Sequence, residues 1–153
     1  MYKIPQEIID FFETQGFAIV STLDKNGVPH SSCKGVVRVS KQGIVYLMDV
    51  YQKDTFNNLK RDPRISITAI DEHKFKGYCL KGKAKVLMGK KITPLIQKAW
   101  DDKLTSRITR RLLRNIHEEK GHPRHPEIQL PRPEYLIAVG INEIVDLTPH
   151  HLK

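Results

Sequence analysis

No apolar run in this sequence is long enough to cross a membrane as a helix, which sets aside the transmembrane class. Cysteine is scarce. Cys33 and Cys79 are the only two in 153 residues, too few for a disulfide framework, and they stand at no metal-binding spacing with each other or with a histidine. The first stretch, MYKIPQEIIDFFETQG, carries acids inside its apolar pattern and has no small-residue cleavage site, so it does not read as a signal peptide. Two unpaired thiols without such a signal give a cytoplasmic location as the expectation. Internal repeats and low-complexity tracts are absent. So is the strand–helix–strand rhythm that a parallel sheet requires.

What is present is an ordinary globular composition, 39% hydrophobic and 28% charged, expected to form a single domain over residues 1–153 with a core of its own. The charge is unusual in its placement. Of the net +9, all lies in residues 81–124, which hold 13 Lys and Arg against 4 Asp and Glu, while the rest of the chain holds 13 against 13. Any meaning of the charge therefore belongs to that segment.

Residues 5–15 read as a helix with Pro5 in its first turn and Gly16 as its stop. FAIVSTL (17–23) and VPHSSCKGVVRVS (28–40) are strand-like runs joined by DKNG, a hairpin signal. Gly35 in the second run indicates a bulge or a close backbone approach. IVYLMDV (44–50), RISITAID (64–71), KGYCLKGKAKVLM (76–88) and YLIAVGINEIVDLT (135–148) are further strands, with kinks expected at Gly77 and Gly82. A short helix over 54–61, N-capped by Asp54, separates the third and fourth strands. Residues 90–100 and 102–117 read as two more helices, and 118–134 as a Pro-rich loop, so that 89–134 forms an insertion before the last strand. Six strands, mostly hairpin-linked, with flanking helices predict a mainly β, antiparallel Greek-key barrel.

In the second of those helices Leu104, Ile108, Leu112 and Ile116 recur every four residues as an apolar face, with Arg107, Arg110, Arg111 and Arg114 on the solvated side. Trp100 is expected to anchor a helix on the barrel. Without aromatic residues among the arginines to stack on bases, nucleic acid is disfavoured as a partner. His117, His122, His125, His150 and His151 raise the question of a metal, but His122 and His125 of GHPRHP stand in a Pro-broken loop without acids or cysteines at ligand spacing, so none is expected.

The stretches GFAIVSTLDKNGVPHSS, IVYLMDV, FNNLKRDPRISITAID and YCLKGKAKVL, in this order and spacing, resemble the pyridoxamine 5′-phosphate oxidase-like family of FMN-binding split barrels. The resemblance runs from about residue 5 to residue 88 and resumes in YLIAVGINEIVDLTP. It implies a six-stranded split barrel, a homodimer, and FMN at the dimer interface. Carried over position by position, it assigns cofactor binding to Ser31, Ser32, Cys33 and Lys34 on the second strand. At the end of the third strand it assigns Met48, Asp49 and Val50, and at the start of the following helix Lys53, Thr55 and Asn58. The residue types suit the task, since a phosphate needs a cation, hydroxyls or free N–H groups. Where the family often has Lys or Arg three residues before Asn-Leu, this chain has Thr55 before Asn58 and Leu59. The C-terminal DLTPHHLK lacks the arginine-bearing substrate motif of true pyridoxamine phosphate oxidases, which argues against oxidation of vitamin B6. The expectation is a flavin-dependent oxidoreductase of unassigned substrate. The alternatives are the same fold holding a deazaflavin or haem, or a non-catalytic protein that binds a polyanion through residues 81–124.

Overall fold

A computed structural model describes residues 2–49, 53–117 and 135–153. Val50, the Pro-rich stretch 118–134 and its His122 and His125 lie outside the described residues.

The expected hairpin forms. Strand β1 (Ala18–Leu23) pairs antiparallel with β2 (Pro29–Val39). The Asp24 carboxylate closes the turn, accepting the N–H groups of Asn26 at 2.8 Å and Val28 at 2.9 Å. Strands β3 (Ile44–Asp49), β4 (Arg64–Asp71), β5 (Lys76–Met88) and β6 (Tyr135–Asp146) complete a closed barrel in the order β1-β2-β3-β6-β5-β4, every neighbour antiparallel. Alternate residues of each strand point inward, so Val20, Val45, Leu47, Ile67, Leu80, Ile137 and Val139 fill the interior. Helix α1 (Gln6–Thr14) adds Ile8, Ile9 and Phe12 to that core, and α2 (Asp54–Arg61) adds Phe56 and Leu59.

The third helix, α3 (Pro94–Ile116), packs on the outside. Its Ile96 and Trp100 bury against Val37, Met48 and Leu136 in a second apolar cluster. Trp100 explains Gly35, because a Cβ there would lie 2.9 Å from the Trp100 ring. Gly82 has a similar origin. A Cβ at Gly82 would meet the Gly140 carbonyl oxygen at 2.1 Å, and the register shifts between Lys81 and Gly82.

Three expectations need correction. Residues 90–100 and 102–117 are not two helices; after a 3-10 turn at Gly89–Lys91, one helix runs from Pro94 to Ile116. Thr93 caps its start, accepting the Ile96 N–H, and neither Gly nor Pro interrupts residues 95–116. The apolar stripe of that helix is not buried along its length. Only its first half sits on the barrel, so Leu112 and Ile116 are exposed, while Arg107 turns back with its guanidinium 4.2 Å from the Phe17 ring centroid. Finally, Asp54 is the first residue of α2 rather than its cap. Lys53 occupies the N-cap position, without a side-chain capping bond. Asp54 still places a negative charge in the first turn, where the helix dipole favours it. Among the described residues, no helix is long and apolar enough to cross a membrane.

Candidate functional site

The residues of the candidate cofactor site divide by strand alternation. Successive side chains of a strand face opposite ways, so four consecutive β2 residues cannot converge through their side chains. Ser32 and Lys34 share a face with Ala18 and Val20, their β1 partners, and lie toward the interior. Ser31 and Cys33 face outward. The Ser31 hydroxyl meets that of Ser21 at 2.9 Å, and the Cys33 thiol is exposed and unbridged. On β3, Met48 points out beneath α3, beside Trp100, whereas Asp49 points in.

The inward set converges where β2, the end of β3 and the start of α2 meet. The hydroxyls of Ser32 and Thr55 are 2.9 Å apart. The Lys34 ammonium lies 2.9 Å from Asp49 Oδ2, with side chains 12% and 2% exposed. Asp49 also accepts a hydrogen bond from the Tyr135 hydroxyl. Burial, and then the carboxylate it serves, hold the Tyr135 phenol well above the ordinary tyrosine range. Tyr135 packs edge-on against Phe56 of α2, centroids 5.0 Å apart, so β3, β6 and α2 lock together around the carboxylate. The Asn58 amide donates to Thr22 Oγ1 at 3.0 Å and accepts from Arg61 at 2.8 Å. Arg61 in turn donates to the Leu23 carbonyl at 3.1 Å. Lys53 sits exposed at the N-cap of α2.

Ser32, Lys34, Asp49, Thr55 and Asn58 are thus brought together, with Lys53 at their edge, while Ser31, Cys33 and Met48 are turned away. Tyr135, Thr22 and Arg61 join the cluster without having been singled out in the sequence. Tyr135 is 86 residues from Asp49, and nothing local to either residue marks the pairing.

The cluster offers two hydroxyls, a helix N-terminus and a charge-balanced ion pair. Since Asp49 compensates Lys34, that ammonium acts as a hydrogen-bond donor more than as a net cation. The donors that fit a phosphate are the Ser32 and Thr55 hydroxyls and the first N–H groups of α2, with Lys53 beside them. This donor set fits a phosphomonoester such as that of FMN.

Comparison with known proteins supports the same fold. A family model described as pyridoxamine 5′-phosphate oxidase matches residues 4–129. HupZ of Group A Streptococcus superposes with a TM-score of 0.66 at 18% identity, over 95% of this chain and 94% of that one. A Clostridium acetobutylicum protein related to general stress protein 26, of the pyridoxinephosphate oxidase family, gives 0.58 at 15% identity, over 96% and 95%. An F420 reductase gives 0.57 at 11% identity, over 93% and 98%. At these identities the structures speak to fold alone, and no curated protein matches the sequence. With the family model spanning most of the chain and the barrel order, α2 and β6 all in place, the chain belongs to the pyridoxamine 5′-phosphate oxidase family.

Proposed function

We propose that this protein binds FMN and works as a flavin-dependent oxidoreductase, as a homodimer whose partner completes the cofactor slot. The observation that supports this reading best is the Ser32–Thr55 hydroxyl pair at the first turn of α2, next to the Lys34–Asp49 pair. Bound FMN would supply hydride or electron transfer. The chain's part is to hold it. Ser32, Thr55 and the α2 N–H groups receive the phosphate, and Lys53 adds charge at the same end. Asp49, fixed by Tyr135, keeps Lys34 in one place as a donor. Asn58, tied to Thr22 and Arg61, keeps α2 at a fixed angle to the β1–β2 hairpin.

Titration of the purified protein with FMN and with riboflavin, followed by flavin fluorescence, tests the assignment. FMN should bind far more tightly than riboflavin. Lys53→Ala should weaken FMN by roughly tenfold to a hundredfold, as a charge-assisted contact is worth about 1.5–3 kcal/mol. Thr55→Ala should cost about 1 kcal/mol of affinity. Equal binding of the two flavins would remove the phosphate cradle. A spectrum of the isolated protein with an intense Soret band in place of flavin bands would replace FMN with haem. For the dimer, light scattering that finds only monomer at micromolar concentration would refute a site completed by a partner.

A further inference from the structure

The outer wall of the barrel carries a second polar feature, away from the Ser32–Thr55 cluster. Lys81, Lys83 and Lys85 alternate outward along β5, all exposed. Two residues of strand advance about 6.6 Å, so the three side chains leave the same face of β5 as a row. Arg64 of β4 stands directly opposite Lys83. Like charges in directly opposed positions are unfavourable in a sheet, and here they add to the row rather than relieve it. Two acids answer the four cations. Asp62 binds Arg64, at 2.6 Å, and Glu143 binds Lys81, at 2.8 Å. Among the described residues, Lys83 and Lys85 make no ion pair.

The ground beside the row is bare. The β6 partners of Lys83 and Lys85 are Gly140 and Ala138, and a Cβ at Gly140 would meet nothing nearer than 3.9 Å. At the other side a rung of hydroxyls crosses the wall from Ser31 through Ser21 to Ser66, which pairs with Lys81. Along that rung lies a cleft of about 510 Å³ bordered by Ser66, Leu23, Pro29, Arg64, Lys83 and Asn142, and Gly140 and Lys85 stand just outside it, next to Lys83. Asn142, the residue that the β6 bulge leaves without a β5 partner, lies at its edge.

We propose that this cleft is a binding site for a small ligand carrying a diphosphate, such as a nucleoside diphosphate. The ring and sugar enter between Leu23, Pro29 and the serine rung, and the phosphates lie over Lys83 and Arg64 at the cleft wall and extend past it toward Lys85, the next outward residue of β5. A bounded cleft ending in a short row of cations fits one nucleotide better than a polymer. The proposal is independent of the flavin site, whose converging side chains face the interior.

Calorimetric titration of the full chain with ADP, pyrophosphate and a 12-nucleotide single strand tests it, each with and without saturating FMN. ADP should bind more tightly than pyrophosphate, and FMN should leave that binding unchanged. Lys83→Gln/Lys85→Gln should weaken ADP by at least a hundredfold, given charge-assisted contacts at both positions. Gly140→Val, which blocks the bare ground without altering charge, should weaken it at least tenfold. Thermal melts of both variants check that they fold. The site is overturned if ADP fails to bind, or if both folded variants bind it as the native chain does. Competition by FMN, with FMN affinity lost in the lysine variant, would overturn it in favour of a flavin phosphate at this wall. A single strand bound tenfold more tightly than ADP would overturn it in favour of a nucleic-acid surface.

Discussion

Replacing Lys34 by Met removes the ammonium that faces the buried Asp49 carboxylate, at a cost set by their separation and burial. The two charges are 2.9 Å apart, and Asp49 is 2% exposed, so water cannot take over when the ammonium is gone. Removing one member of a buried pair costs about 3–5 kcal/mol, because it leaves a buried charge without its counter-ion. The Tyr135 hydrogen bond softens this without supplying charge. Against a domain stability of about 5–15 kcal/mol, the loss is large. Urea unfolding, read from Trp100 fluorescence and circular dichroism together, should show the midpoint falling by roughly 1–3 M with an unchanged slope. Lys34→Met/Asp49→Leu should recover most of the loss, since an apolar pair of similar volume often matches a buried ion pair. Tyr135→Phe should cost about 1.5–3 kcal/mol, the value of a hydrogen bond to a charged group. A cost below about 1 kcal/mol for Lys34→Met, or a double variant as damaged as the sum of its parts, would refute the argument.

Lys103 provides a pH test: burial, opposed by the Glu13 carboxylate and aided by Arg107 and Arg110, pushes its ammonium down to about 8, and its Nζ has no hydrogen-bond partner. The unfolded chain therefore holds this proton over a range where the folded chain has released it, so stability should rise from about pH 8 to pH 10.5. Lys103→Met should flatten that rise and stabilise the protein at pH 7 by about 2–3 kcal/mol; an unchanged profile would count against the burial. Gly35→Ala drives a methyl into the Trp100 ring and should destabilise by about 1–3 kcal/mol with a red-shifted tryptophan emission, whereas native-like emission would show that the helix yields freely. Both thiols should titrate in denatured, unreduced protein, and in the native state Cys33 should react ahead of the less exposed Cys79; fewer than two thiols would reveal a bridge.

Much of the barrel was legible in local sequence. Strands β4 and β5 begin and end where alternation and turn residues place them, and Asn26-Gly27 announced the β1–β2 hairpin. Side-chain period and turn chemistry are local properties, and a single stretch of chain carries them. Gly35 within a strand-like run signals a bulge or a close approach, but only α3 lying across β2 makes Trp100 the group that approaches. The fate of α3's apolar stripe was not legible either. Its four-residue spacing announces a helix, while the length of helix that touches the barrel depends on where β2 and β3 lie. The candidate site divided in the same way. Motif order pointed to β2, the end of β3 and the start of α2, yet the β2 pleat decided that Ser32 and Lys34 converge and that Ser31 and Cys33 do not. Tyr135 entered because β6 closes beside β3 and sets it opposite Asp49. The row of Lys81, Lys83 and Lys85 could be seen in the letters KGKAK, but its charge gained a setting only when β4 brought Arg64 across and β6 left Gly140 bare beside it. Sequence thus determined which segments become strands and helices, because those choices are made over a few residues. Tertiary structure decided which side chains meet, because pairing between strands far apart in the chain is fixed only when the barrel closes.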